Sequence, residues 1–158
     1  MLPLKLKRGG CLHLRNVKLN SYTFQVSLRI KHPTLKPDEI TRALGLVPSL
    51  VQAAGKNRRT PDEKILKDVC RETFWHHKFH ISESASDLES SIVEIIASLK
   101  SNLEFLNTIK EAGGSAELFC GVFLDVNIGL GFDNSLTQLL AEASLPLSVD
   151  LYPPDEQE

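Results

Sequence analysis

The sequence predicts an α+β domain, and three observations support that prediction. Residues 22–31, 74–81 and 147–152 have the period of two that is typical of a strand, and residues 117–127 have the same period with apolar side chains on both faces. Segments with apolar residues at helical spacing separate these strands. The chain has 158 residues, of which 42% are hydrophobic and 24% are charged, so it is long enough for a single domain with its own core.

The first strand and the first helix carry clear local signals. Over residues 22–31 the apolar side chains fall on one face of the strand, and a His-Pro pair at 32–33 ends it. Pro-Asp-Glu at 37–39 begins a short helix, because proline fits the first turn and acidic side chains favour the positive end of the helix dipole. Gly45 ends this helix.

The connection from Leu46 to Glu72 is predicted to be a long loop, because it contains two prolines and a glycine. Loops of this length in a compact domain are usually functional or disordered. Its centre carries the cations Lys56, Arg58 and Arg59, which are suited to holding a phosphate or a carboxylate. The alternative is a charged segment that is simply solvated.

A long helix joins the two halves of the chain, and two more strands follow it. A capping box at residues 86–89 begins the helix, and apolar residues at helical spacing continue to Ile109. Strand 117–127 is apolar on both faces, which predicts a central position in the sheet. A short helix capped by Asp133 or Ser135 then leads to the last strand.

Each half therefore has the order strand–helix–strand, with the long helix between them. Right-handed crossovers place the helices on one side of the sheet. The predicted fold is a two-layer α+β sandwich, ferredoxin-like in its βαβ–α–βαβ order, with a mostly antiparallel sheet of four to five strands and an extra long helix. This single domain spans residues 21–152.

The two ends of the chain and its cysteines indicate the cellular compartment in which the protein is expected. Residues 1–20 carry five positive charges and no negative charge, and we expect a disordered basic extension there rather than a β-hairpin. Residues 153–158 form an acidic tail. The three cysteines have no CxxC spacing, so neither a disulfide framework nor a zinc site is indicated. Without an apolar run of roughly 18 residues for a membrane helix, we expect a cytoplasmic protein with no membrane partner.

The net charge of −2 hides an uneven distribution. Residues 1–82 hold 16 Lys/Arg and 6 Asp/Glu, a balance of +10, whereas residues 83–158 hold 2 and 14, a balance of −12. Within one domain the two halves are expected to interleave, which brings opposite charges near each other. The alternative is a bipolar surface that associates with itself or binds an acidic partner.

The polar face of the predicted sheet is the first candidate site. It collects basic and aromatic side chains, namely Arg29, Lys31, Phe74, His76, Lys78, His80, Phe119, Phe123 and Tyr152. If no helix covers this face, rings that stack on bases and cations that neutralise phosphates suit single-stranded nucleic acid. The alternative is a face covered by the long helix or by a second subunit. Trp75 together with Arg58 and Arg59 is a further candidate, for a small molecule or an anion.

Neither catalysis nor a metal or cofactor is expected. His76 and His80 share a face of the predicted strand but lie about 13 Å apart at 3.3 Å per residue, too far to bind one metal ion. Cys120 lies within a strand among core-facing neighbours, which is the environment of an inert thiol. The aspartates show no paired spacing, and no GxSxG nucleophile motif is present.

Taken together, these segments resemble a bacterial family called domain of unknown function 4279. The resemblance covers about residues 20–152 and rests on the order and spacing of several pieces: strand 24–30, segment 37–48, Gly55, Thr73, Trp75, segment 87–89, Gly131-Phe132 and strand 148–152. Residues 32–35 depart from the small residues that the family has at the end of the first strand.

The resemblance implies a small bacterial protein for which no activity is established. Some members resemble proteins of toxin–immunity or other defence loci, which implies an immunity-type binder whose acidic half masks a basic toxin. We therefore expect a non-catalytic binding module for a protein partner or for itself. The alternatives are a single-stranded nucleic-acid binder and a sensor of a small molecule or an anion.

Overall fold

A computed structural model describes residues 22–60, 62, 64–81 and 87–153. The predicted extension 1–20 and nearly all of the predicted tail lie outside the described residues. Within the described part, four α-helices accompany a five-stranded sheet and a two-stranded sheet. This confirms the prediction of an α+β fold with a mostly antiparallel sheet of up to five strands.

The elements follow one another as β1 (Tyr22–His32), α1 (Pro37–Leu44), β2 (Leu50–Gln52), β3 (Asn57–Arg59), β4 (Ile65–Val69), β5 (Thr73–Lys78), α2 (Leu88–Ser98), a 3-10 turn (Lys100–Asn102), α3 (Leu103–Glu111), β6 (Ser115–Leu124), α4 (Asn134–Glu142) and β7 (Leu147–Tyr152). The main sheet has the strand order β2-β5-β1-β6-β7, in which only the pair β6–β7 is parallel. The strands β3 and β4 pair with each other in a separate hairpin.

The strand order differs from the two predicted βαβ units. In a βαβ unit the helix connects two parallel strands, and the prediction placed α1 in this way between β1 and β5. These two strands are antiparallel neighbours instead. The helix leads instead to β2, which is antiparallel to β5 and therefore parallel to β1, with β5 inserted between them. In the second half, β6, α4 and β7 do form a unit with adjacent parallel strands.

The predicted long loop 46–72 contains three strands. β2 and β3 have three residues each and β4 has five, and nearly all of these residues are exposed. A strand is recognised in a sequence by alternating apolar and polar residues, and strands this short with no buried face do not show that alternation. The prediction of an unstructured connection is wrong for this reason.

The predicted long helix is interrupted. Leu99 donates its backbone N–H to the carbonyl oxygens of both Ile95 and Ile96, at 3.0 and 3.1 Å, and a 3-10 turn separates α2 from α3. The Asn102 side chain in this turn donates to the carbonyl of Leu44 at 3.3 Å. The turn therefore ties the end of α1 to the helical connection, because Asn102 satisfies a carbonyl that α1 leaves free.

Aspartate caps begin two helices. Asp87 accepts the backbone N–H of Ser90 at the start of α2, so the cap lies one residue after the first position of the predicted capping box, and the helix begins at Leu88. At the start of α4 the cap is Asp133, which accepts the N–H of Leu136 at 2.8 Å, and not Ser135. In both cases a carboxylate satisfies a backbone donor that has no partner inside the helix.

One hydrophobic cluster joins the helices to a single face of the main sheet. Val26, Leu28 and Ile30 of β1 are fully buried. The same cluster contains residues of all four helices, including Ile40, Ile92, Ile95, Ile96, Leu106, Ile109 and Leu136. The long helical connection therefore packs on the same face as the short helices, and the opposite face carries no helix among the described residues.

The strand order divides the main sheet between the two halves of the chain. β2, β5 and β1 come from the basic half, whereas β6 and β7 come from the acidic half, and only the β1–β6 pairing joins them. Outside the sheet the halves contact each other, because Asn102 donates to the carbonyl of Leu44 and α2 lies beside His80. The expectation that the halves interleave is therefore wrong for the sheet and is met between the sheet and the helices.

Gly114 is expected to tolerate no side chain. A Cβ atom there would lie 2.6 Å from the carbonyl oxygen of Lys31 and 2.8 Å from Cγ2 of Ile109. The substitution Gly114→Ala should therefore destabilise the protein by about 1–3 kcal/mol. Urea unfolding measures this effect. The control is Gly129→Ala, because nothing lies within 4 Å of a Cβ atom at that position, and its effect should stay within about 0.5 kcal/mol. Equal stability of both variants would contradict the packing described for Gly114.

Candidate functional site

The candidate site is the face of the main sheet that points away from the helices, which we call the open face. Alternation along each strand places it: residues 26, 28 and 30 of β1 are buried, so residues 25, 27, 29 and 31 point the other way. Strand register extends the face to the neighbouring strands. Its charged and aromatic members are Arg29, Lys31, Phe74, His76, Lys78, Glu117, Phe119, Phe123, Asp150 and Tyr152.

Arg29 and Phe119 form the centre of the open face. The guanidinium carbon of Arg29 lies 3.2 Å from the ring centroid of Phe119, which is a close cation–π contact. The Nε atom of Arg29 is buried and has no hydrogen-bond partner among the described residues. Glu117 lies opposite Arg29 in register, but its carboxylate accepts a hydrogen bond from Ser148 at 2.7 Å. Arg29 is therefore held by packing on a ring.

Phe123 and Tyr152 form an exposed aromatic pair on β6 and β7. Their rings are stacked, with centroids 4.8 Å apart and an angle of 13° between the ring planes. The two side chains are 48% and 43% exposed. Gly121 makes room for them, because a Cβ atom there would already lie 3.4 Å from Tyr152. Both residues are candidates from the sequence, and the structure brings them into contact.

The β5 side of the open face is cationic. Lys78 and Lys31 are exposed, and Lys31 forms a salt bridge with Glu72 at 3.6 Å. His76 stacks on Phe74 with centroids 6.1 Å apart. Burial lowers the pKa of His76, and the positive charges of Arg29 and Lys78 lower this pKa further. His76 is therefore neutral near pH 7 and contributes ring surface rather than charge.

Trp75 does not lie on the open face. It is fully buried on the helix side of the sheet, and its indole N–H donates to the hydroxyl of Thr41 at 2.9 Å. Its partner in register on β1 is Ile30, which belongs to the core. The structure therefore does not bring Trp75 together with Arg58 and Arg59, and the predicted site for a small molecule at these three residues is wrong.

His80 also leaves the open face. β5 ends at Lys78, and beyond it Phe79 donates its backbone N–H to the carbonyl of Val26 at 3.0 Å. His80 then lies beside α2, where it lines a small cleft together with Glu94. The predicted strand 74–81 is therefore too long, and the expectation that His76 and His80 share a strand face is wrong.

The three cations of the predicted loop are divided between two sides of the hairpin. Lys56 and Arg59 line a cleft between β2 and the hairpin. Arg58 points to the other side, where it lines a second cleft with Lys31 and Phe74 at the border of the open face. Alternation along β3 separates the two neighbouring arginines.

Sequence reasoning did not identify the contacts that organise the open face. It named Arg29 as a candidate, but the stacking on Phe119 and the hydrogen bond between Ser148 and Glu117 depend on strand register. Register between strands distant in the chain has no local sequence signal. Only the alternation of polar and apolar residues, which places these side chains on one face, was visible.

Cys120 lies buried in β6. Burial raises the pKa of the Cys120 thiol to about 11, so this thiol stays protonated near neutral pH. In the described part of the chain, no group of three or more His, Cys, Asp or Glu side chains is placed to hold a metal ion. None of the described helices has both the length and the hydrophobicity to cross a membrane.

Comparisons with known proteins identify one family. Residues 20–154 match the family model described as "Domain of unknown function (DUF4279)". Searches of curated proteins and of solved structures gave no match. The match covers every described helix and strand.

A structural role for Trp75 predicts the effect of removing its hydrogen-bond partner. Thr41→Val leaves the buried indole N–H without an acceptor, which should destabilise the protein by about 1–3 kcal/mol. Urea unfolding followed by the fluorescence of this single tryptophan gives the free energy of unfolding. Thr108→Val is the control, because Thr108 is exposed and its hydroxyl donates to the carbonyl of Phe105 in the same helix at 2.7 Å. A Thr41→Val protein as stable as this control would contradict the assigned role.

Proposed function

The chain belongs to the family described as a domain of unknown function (DUF4279), and on this premise we propose that it is a non-catalytic module that binds an acidic surface of a partner protein through the open face. One observation carries the proposal: the described helices cover the opposite face of the sheet and leave a cationic, aromatic face free. A rigid, uncovered sheet is pre-organised for docking, because binding then orders little additional backbone.

The side chains of the open face are of the kinds that dominate protein interfaces. Aromatic residues and arginine are enriched at the positions that contribute most to binding free energy. Arg29 on Phe119 forms one such centre, and the stacked pair of Phe123 and Tyr152 forms another. Because each pair is already packed, few rotamers remain to be restricted when a partner binds.

The charge of the open face supports an acidic partner. Lys78 is exposed on β5. Lys31 is exposed on β1, where it forms a salt bridge with Glu72, and Arg58 lies at the border in a cleft that Asp68 and Glu72 also line. The acidic side chains Glu117 and Asp150 lie on β6 and β7, at the other side. Complementary charges across an interface speed association and fix the orientation of the partners. An acidic patch that faces β5 and β1 satisfies this arrangement.

Single-stranded nucleic acid is the other macromolecule that cations and aromatic rings favour. Stacking of bases needs free ring faces. On the open face, the guanidinium of Arg29 covers the ring of Phe119, and Phe123 and Tyr152 stack on each other. These contacts favour a protein partner over a nucleic acid.

An immunity-type role against a basic toxin would use a different surface. The acidic side chains Glu89, Glu104, Glu111 and Glu142 lie on the helices α2 to α4, and a basic partner is complementary to that layer. The two roles therefore place the partner on opposite sides of the molecule. Charge-reversal substitutions made on one side at a time show which of the two roles applies.

Charge reversal on the open face is expected to weaken the complex. Proteins captured by the immobilised chain are identified, produced separately and titrated against the purified chain by calorimetry. The double substitution Lys31→Glu and Lys78→Glu should raise Kd about tenfold or more, because it replaces attraction to an acidic partner with repulsion. Lys36→Glu with Lys100→Glu makes the same change in net charge on the helix side, and should change Kd less than about twofold.

Three results would overturn the proposal. If the substitutions at Lys36 and Lys100 alter binding and those at Lys31 and Lys78 do not, the helix layer is the binding surface. If an oligo-dT strand binds the open face and its affinity falls steeply with salt, the ligand is a nucleic acid. If no captured protein binds after separate purification, the chain is not a module for an acidic protein.

A free open face also predicts the molar mass in solution. Light scattering coupled to size exclusion should give the monomer mass of 17.6 kDa at both low and high salt. The alternative predicted from the sequence, self-association, gives a different result. A dimer that resists salt would bury the open face between two copies, and a dimer that dissociates in salt would join the basic and acidic halves of neighbouring copies.

A further inference from the structure

We propose that the cleft between β2 and the β3–β4 hairpin, which we call the hairpin cleft, binds a small organic anion in which a carboxylate or a phosphate is attached to an apolar body. The cleft has a volume of about 850 Å³. Ligand sites in proteins are typically roughly 300–1,000 Å³. The hairpin cleft therefore has room for a small molecule.

Two cations give the hairpin cleft its preference for an anion. Lys56 and Arg59 both line it, and no acidic residue is among the described residues that do so. The structure gives neither cation an acidic partner within the described part of the chain. The guanidinium group of arginine matches a carboxylate or a phosphate through two parallel hydrogen bonds. The charged end of the ligand is therefore assigned to Arg59, with Lys56 beside it.

Apolar side chains form the rest of the wall. Val51 and Ile65 line the cleft and remain 44% and 63% exposed, and Leu50, which is 40% exposed, lies at its rim because it also lines the cleft on the Arg58 side. Apolar side chains grouped in the wall of a concave surface mark a binding groove, whereas single exposed ones do not. Burying them requires a ligand with an apolar body, so an inorganic ion does not fill this site.

The side chain of Gln52 links the two walls. It donates from β2 to the carbonyl of Arg59 at 3.4 Å, across the cleft, and its Oε1 atom accepts from the Cys70 thiol at 3.8 Å. Within the hairpin, the Gly55 N–H donates to the carbonyl of Cys70 at 2.9 Å and the Cys70 N–H donates to that of Lys56 at 2.8 Å, which holds the two hairpin strands together. The cleft is therefore formed before a ligand binds, which lowers the entropic cost of binding.

This inference is independent of the proposed protein-binding role. The hairpin cleft lies at the β2 edge of the sheet, whereas the open face is centred on β1 and β6. Arg58 supplies a matched control for the cleft, because it is an arginine of the same strand that lines the opposite side of the hairpin. Failure of either proposal leaves the other standing.

Titration of the full chain with four probes tests the inference. Octanoate and octyl phosphate carry the same apolar tail with a carboxylate or a phosphate, octan-1-ol carries that tail without charge, and inorganic phosphate has no tail. Calorimetry is expected to show saturable binding of at least one anionic probe, and NMR should show shifts of the backbone amides of Gln52 and Arg59. Arg59→Gln should weaken this binding about tenfold and Arg58→Gln less than about twofold.

The remaining outcomes are equally decisive. Tighter binding of octanoate than of octyl phosphate would assign a carboxylate ligand, and the reverse would assign a phosphate. Equal binding of octan-1-ol would overturn the role of the cations, and equal binding of inorganic phosphate would overturn the role of the apolar wall. An equal loss in Arg58→Gln would show diffuse charge attraction instead of a site. No saturable binding at millimolar concentration of any probe would overturn the inference as a whole.

Discussion

β1 is the strand on which the rest of the molecule is assembled, because it pairs along both edges and buries most of one face. It is antiparallel to β5 on one side and to β6 on the other. Val26, Leu28 and Ile30 are fully buried, and the burial of each side chain contributes about 1.5–3 kcal/mol. Since successive side chains of a strand point to opposite faces, the same burial forces Arg29 and Lys31 outwards. β1 thus anchors the core and carries the centre of the candidate site.

The packing of all described helices on one side of the sheet determines what the other side is able to do. A sheet face that meets water must carry side chains that tolerate solvent, and here those side chains stabilise one another by stacking. Arg29 stacks on Phe119 between β1 and β6, and Phe123 stacks on Tyr152 between β6 and β7. Both contacts therefore join neighbouring strands on the open face. A binding surface built from such contacts on rigid strands keeps its shape, which favours recognition of another rigid surface.

The hairpin adds a second kind of surface at the β2 edge. The open face is broad, and broad surfaces suit macromolecules, whereas the hairpin cleft is concave and suits small ligands. Arg58 and Arg59 illustrate the division, because they are neighbours in the chain but line clefts on opposite sides of the hairpin. The basic side chains of one short segment therefore line two different clefts.

Local sequence patterns were enough to predict the features that repeat within a few residues: the inner and outer faces of β1, β6 and β7, and the regions near residues 37, 86 and 133 where helices begin. Packing in three dimensions was needed to show that β2, β3 and β4 exist, that Trp75 is buried against Thr41, and that Arg29 stacks on Phe119. It was also needed to show that the basic and acidic halves occupy different sides of the main sheet. The physical reason is that alternation and capping depend on neighbours in the chain, whereas strand order and register depend on packing between segments that the chain keeps far apart.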